Sequence, residues 1–137
     1  MINPTFNTSI TLYNRYVDRS GVKTKTTWHR IVLNDCFFAR EAVTDLSGNT
    51  LSMADGYICR IPEDKRFTED YKGEENTFTL SPEDIIVEGQ IDDVISDAQG
   101  SRVSDLIAKY SGRAFTVKSV SINTKLPVGK HYRAKGV

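Results

Sequence analysis

The stretch that most constrains the fold runs from Phe78 to Ile122. It begins Phe-Thr-Leu-Ser-Pro-Glu-Asp-Ile-Ile-Val-Glu-Gly-Gln-Ile-Asp-Asp-Val-Ile and closes with Ala-Phe-Thr-Val-Lys-Ser-Val-Ser-Ile. Pro82 has its φ already fixed, and Asp84 can bond back to the local backbone, so Ser81-Pro82-Glu83-Asp84 predicts a tight corner after a strand. Ile85, Ile86 and Val87 form a β-branched run, and Glu88-Gly89-Gln90 reads as a turn or bulge that breaks a strand pair. Val103, Leu106, Ile107 and Tyr110 then recur at i, i+3, i+4 and i+7, one face of a helix over about 101–111. Ser101 is placed to cap it, Asp105 and Lys109 match its dipole, and Gly112 ends it. The apolar face should plug one end of a barrel or cover a sheet. Ala114 to Thr124 alternates as a further strand.

Strands dominate the rest. Ser9 to Val17 has period two, with Ile10, Leu12 and Asn14 on one side and Thr11, Tyr13, Arg15 and Val17 on the other. Asp18-Arg-Ser-Gly21 turns into a Thr-rich strand from Val22 to Leu33 that carries Trp28, an anchor for the core or for an interface. Asn34-Asp35 reads as a break before a third strand, Cys36 to Val43. Residues 44–56 read as a long turn-rich connection or a ragged hairpin tip, and Gly56 to Ile61 as a fourth strand stopped by Pro62. Residues 63–76 are the most polar segment, ordinarily a solvated loop, although long loops in small domains often carry function. His131 to Lys135 makes a short last strand. The expectation is a mainly β chain: a small antiparallel β-barrel or sandwich with one short α-helix. It is a single domain over 1–137, with an extended N-terminal arm (1–8) and a C-terminal strand (130–137).

A chain of 137 residues can hold a core without staples. Its 18 basic and 18 acidic residues give no net charge, which argues against a partner attracted by charge alone, although a local basic patch remains open. Met1-Ile-Asn-Pro is not a signal peptide, and no apolar run approaches the ~20 residues of a membrane span. Cys36 and Cys59 lie 23 positions apart in apolar runs and read as reduced, buried thiols; a disulfide between them stays open.

Enzyme signatures are missing. His29 and His131 are far apart, and no nucleophile elbow, P-loop or dinucleotide fingerprint occurs. Asp84 reads as a turn residue and Asp92-Asp93 as solvated strand residues rather than an acid/base or cation site. No catalytic, metal-binding or cofactor-binding residue is expected. A barrel with a helix before its last strands also allows an OB-like single-strand-binding module, with Tyr13, Tyr16, Trp28 and Phe37 for stacking and basic residues clustered between Arg15 and Arg30 and again in the tail at Lys130, Arg133 and Lys135. No RNP-like or Gly-Arg motif supports it.

Several motifs resemble small proteins of the head–tail joining region of tailed bacteriophages, the head-closure (stopper) and minor-capsid-like families. They are Thr11-Leu-Tyr-Asn-Arg-Tyr-Val17, Trp28-His-Arg-Ile-Val-Leu33 leading to Phe37-Phe38, Tyr57-Ile-Cys-Arg-Ile-Pro62, and Leu80-Ser-Pro-Glu-Asp-Ile-Ile-Val-Glu-Gly89. Phe115-Thr-Val-Lys-Ser-Val120 and Lys130-His-Tyr-Arg-Ala134 complete the set. Glu83 stands where those proteins usually carry glycine before the Asp of the corner. The resemblance implies a non-enzymatic ring subunit, commonly twelvefold, that closes the DNA-filled head and joins it to the tail. Its partners would be further copies of itself, the portal or adaptor and the tail terminator, with non-specific contact with packaged DNA. Its place would be the virion neck, and the host cytoplasm during assembly, with no membrane and no cofactor. A tail-completion or terminator protein at the same joint is the alternative. Candidate interface or lumen-facing residues are Asp45, Ser47 and Asn49 in the first long connection and Phe67, Glu69, Asp70, Tyr71 and Lys72 in the second, with Phe67 and Tyr71 as docking anchors. Acidic residues facing a channel would let DNA slide.

Overall fold

A computed structural model describes residues 7–47, 50–125, 127 and 129–137, with the backbone alone for 41–47 and 50–55. The strands are β1 (Thr8–Asp18), β2 (Lys25–Ser47), β3 (Thr50–Pro62), β4 (Ile85–Glu88), β5 (Ala114–Asn123) and β6 (His131–Gly136), and the helix α1 is Val103–Lys109. All ladders are antiparallel, and the order β1-β2-β3-β6-β5-β4 closes back on β1. The mainly β reading therefore holds, as a closed six-stranded barrel with one short helix. Closure leaves no free sheet edge around the barrel, the usual answer to unpaired strand edges.

The core follows the period-two pattern. Ile10, Leu12, Leu33, Cys59, Ile61, Ile86, Phe115, Val117 and Ala134 fill the barrel, all essentially inaccessible. A second cluster lies outside the wall, where Tyr13, Ile85, Val87 and Ala114 meet Ile91, Ile95 and Leu106, with Trp28, Val103, Ile107 and Tyr110 at its margin. This explains the unbroken Ile85-Ile86-Val87 run: Ile86 faces the barrel while its neighbours face the helix, so β4 is buried on both sides. The helix covers the sheet rather than plugging an end, and Trp28 serves the core.

Several local expectations are corrected. Asn34-Asp35 does not break the chain: β2 runs through it, with Asp35 at φ +57° bending the strand, a conformation Asp tolerates better than most residues. Of the two readings of residues 44–56 the hairpin holds and the loose connection does not, because β2 and β3 stay paired from Phe37↔Arg60 out to Ser47↔Thr50. Phe78 to Leu80 forms only an isolated bridge, Phe78 with Phe67, and no strand lies between Gly89 and α1. Ser101 does not cap α1. Asp105 does so from inside, its Oδ2 accepting from the Gly100 and Arg102 N–H groups at 3.0 Å each. Asp92-Asp93 lies outside any strand. The Asp93 carboxylate accepts from Lys109 Nζ at 2.7 Å and Tyr110 Oη at 2.5 Å, and both bonds hold its pKa below the usual carboxylate range. Its carbonyl accepts from the buried Tyr13 hydroxyl at 2.6 Å. Asp93 thus fastens the irregular segment before α1 to both the helix and the wall.

Gly136 marks the tightest approach. A Cβ there would lie 1.8 Å from the Thr116 carbonyl oxygen, so only glycine lets β6 meet β5 at this point.

Candidate assembly surfaces

One feature outside the barrel is a two-stranded ribbon. β3 pairs with β6 only from Tyr57 to Pro62, and β1 pairs with β2 only as far as Cys36. Beyond those points residues 41–47 and 50–56 pair with each other over seven register positions, and among the described residues neither outer edge has a partner. At roughly 3.3 Å per residue the ribbon reaches about 23 Å. Two strands alone are marginally stable in water, and their open edges present unpaired N–H and C=O groups. The ribbon sequence carries Glu41, Asp45 and Asp55 and no Lys, Arg or His, with Val43, Leu46, Leu51 and Met53 as its larger apolar residues. Asp45 and Ser47 therefore lie on this ribbon, and Asn49 lies outside the described residues.

The second connection, residues 63–84, is folded onto the barrel. Phe67 stacks on Tyr132 at 4.1 Å between ring centres and meets Phe78 edge-on. Tyr71 packs edge-on against Tyr16 and His29. Arg66 binds Asp64 through two nitrogens at 3.0 and 2.7 Å, a bidentate pair that stiffens the start of the loop. Phe67 and Tyr71 thus hold the loop to their own barrel. Glu69, Asp70 and Lys72 are exposed, with Lys72 Nζ 3.7 Å from an Asp70 oxygen.

A buried polar bracket pins the end of this loop. Asp84 is 1% exposed, and its carboxylate accepts from Asn14 Nδ2, the Arg15 N–H and the Ser81 N–H, each at 2.9 Å. Asn14, also buried, donates to the Thr79 carbonyl at 2.8 Å and accepts from the Thr79 N–H at 3.1 Å. Burial pushes the Asp84 carboxyl up to about 6 against the pull of those donors. Asp84 is more than a local turn former: it joins β1 to the corner. Glu83, at φ +79°, takes the left-handed conformation that glycine accepts most readily.

The outer face of β3, β6 and β5 is basic. Tyr57, Cys59, Ile61, Tyr132 and Ala134 point inward, so the alternate residues Ile58, Arg60, Arg133 and Lys135 take the outside. Arg60 lies directly opposite Arg133, a like-charge pairing that costs a sheet stability. Among the described side chains no carboxylate comes within ion-pair distance of Arg60, Arg133 or Lys135; the Arg60 guanidinium lies 5.1 Å over the Phe37 ring. Where this face meets the ribbon there is a groove of about 250 Å³, lined by Gly56, Tyr57, Ile58, Lys118, Lys135 and Val137 among others. Lys118 is bridged to Glu83 at 3.2 Å.

The residues considered for other chemistry are dispersed. His29 Nε2 lies 3.0 Å from the Thr27 hydroxyl, and His131 Nδ1 lies 2.7 Å from the Gly129 carbonyl. Cys36 and Cys59 are free and buried. Desolvation pushes Cys36 up to about 12 and Cys59 well above its ordinary value, which leaves both as unreactive thiols. Among the described residues no cluster of three or more His, Cys, Asp or Glu is arranged to hold a metal ion, and no helix is long and apolar enough to cross a membrane. Tyr13, Tyr16, Trp28 and Phe37 form no common stacking platform: Tyr13 is buried, Trp28 packs beside it, Tyr16 faces His29 and Phe37 lies under Arg60.

Of the basic face, Arg133 and Lys135 are legible in sequence as part of the basic tail, whereas Arg60 was missed because it meets Arg133 only through strand register. No curated protein and no solved structure matches this chain. The model of DUF6751, a family of unknown function, matches residues 5–137, and the chain belongs to that family.

Proposed function

We propose that this chain is a structural ring subunit of the neck of a tailed bacteriophage, where it closes the DNA-filled head and joins it to the tail. The observation that carries the reading is the β2–β3 ribbon, seven register pairs long, continuing past the barrel with both edges open among the described residues. A ring subunit needs directional contacts between unlike surfaces rather than a catalytic centre, and an open-edged arm on a closed barrel supplies one. The motif resemblance supports the same reading, and φ +79° at Glu83 suits the position where the resembled proteins carry glycine. In this role the chain works without a cofactor, and its partners are further copies of itself, the portal or adaptor above and the tail terminator below.

The deciding measurement is copy number and location in the particle, by immunogold labelling and by subunit counting by mass on purified virions. A ring's worth of copies at the neck is expected. Absence from the particle overturns the neck role. Replacing residues 43–54 by Asn-Gly, which re-forms a tight hairpin next to the barrel, should leave the barrel folded and abolish assembly. Deleting residues 68–75 is a less selective test, because it also removes Tyr71 from its packing on Tyr16 and His29.

A further inference from the structure

We propose that the acidic β2–β3 ribbon of one copy docks across the basic outer face of β3, β6 and β5 on a second copy. The inference rests on the self-assembly assumed above and names both halves of its interface.

Among the described side chains this face has no partner for its charges. Arg60 and Arg133 sit opposite each other and Lys135 follows two residues on, with no carboxylate of the described side chains in ion-pair reach. Two arginines held side by side repel, and an anionic surface laid over them removes that penalty. The ribbon is the complementary segment: Glu41, Asp45 and Asp55 are its only charged residues. Its register puts Glu41, Val43 and Asp45 on one face, so two acids flank an apolar residue there. The docking surface has the same mixture, with Arg60, Arg133 and Lys135 beside the groove of about 250 Å³ that Tyr57, Ile58 and Val137 help to line. Lengths agree as well, since a ribbon of about 23 Å matches the roughly 20 Å of the six-residue β6.

The contact must be made in trans. β3 is one strand from the ribbon through the basic face, so the ribbon leaves in the plane of that sheet and cannot turn back onto it without breaking β3. Ribbon and face are different surfaces, so the contact is heterologous, and repetition with a closing rotation gives a ring.

The test uses the full chain and light scattering coupled to size exclusion, at low and at physiological salt. Three variants are compared with the unaltered protein: Arg60→Glu with Arg133→Glu, Glu41→Lys with Asp45→Lys, and all four changes together. The unaltered chain should assemble, each double reversal should weaken association at least tenfold, and the fourfold variant should regain mass. Far-ultraviolet circular dichroism confirms that each variant is folded. The neutral pair Arg60→Gln with Arg133→Gln relieves repulsion within the barrel, so it should melt no lower than the parent while still losing assembly. The proposal is overturned if the unaltered chain stays monomeric, if either folded double keeps the parent's mass, or if folded doubles are not rescued by combination. It is equally overturned if the face variants lose only salt-sensitive binding to a DNA oligonucleotide, which would assign the face to phosphates. Rescue in solution with no copies in virions would remove the neck role and leave the docking intact; copies at the neck with charge variants still assembling would do the reverse.

Discussion

Asp84 gives the fold a specific dependence on pH. Its carboxyl is raised from the ordinary 3.8 to about 6, chiefly because burial penalises the charged form. The folded state therefore holds this proton more tightly than the unfolded chain does. Asp84 contributes stability that is fully present below pH 3.8 and is lost as pH rises through 6. The gap is about 2 pH units at about 1.4 kcal/mol each, so the change across the window is about 3 kcal/mol. Other carboxyls act in the opposite sense: Asp64 and Asp93 are held low by hydrogen bonds from Arg66 and Lys109, so they lose stability as pH falls. The comparison is therefore made against Asp84→Asn, which cannot titrate. Urea unfolding followed by the fluorescence of Trp28, the only tryptophan, at steps from pH 8 to pH 4 gives the stability of each protein. The stability of the unaltered protein minus that of the variant should rise by about 3 kcal/mol toward acid, with most of the change between pH 6 and pH 4. A flat difference, or one that grows toward alkaline pH, would mean that the donors from Asn14, Arg15 and Ser81 outweigh burial and would refute the reasoning.

Three further outcomes follow from packing. Gly136→Ala places a methyl against the Thr116 carbonyl and Phe115, and should cost at least about 3 kcal/mol in chemical denaturation, with β6 the first strand to lose hydrogen-exchange protection. Phe67→Ala removes the stack on Tyr132 and the edge contact with Phe78, and should cost about 3 kcal/mol while making the polar loop a protease site. Glu83→Gly should stabilise the corner by about 1 kcal/mol through relief of its left-handed backbone, read as a higher urea midpoint.

The sequence made the strands and the helix legible because their signals are local. Period-two alternation places Ile10 and Leu12 in the barrel, and the 3.6-residue spacing of Val103, Leu106, Ile107 and Tyr110 finds α1. What it hid depends on distance along the chain. Asn34-Asp35 has the composition of a break, yet β1 and β3 on either side keep β2 continuous through the bend. Ile91 and Ile95 alternate poorly with Asp92 and Asp93 because that segment is held by α1 and Tyr13 rather than by a ladder. Asp84 has the look of a turn former, and its deeper role appears only when Asn14, 70 positions earlier, is folded against it. The candidate surfaces were legible in part: residues 44–56 stand out as turn-rich and allow the hairpin that forms, and residues 63–76 stand out as polar, but the folding-down of the second by Phe67 and Tyr71 depends on distant rings.

The continuity of β2 and β3 also decides how the molecule bears force. A pull on the ribbon tip travels along two strands that run, without a joint, into the ladders with β1 and β6. Those hydrogen bonds lie across the direction of pull, so they are strained in shear and resist together instead of unzipping one at a time. The bend at Asp35 is the compliant point on that path. A subunit gripped by its ribbon would transmit tension into the barrel wall as a strap does into a hoop, and would stretch before it peeled.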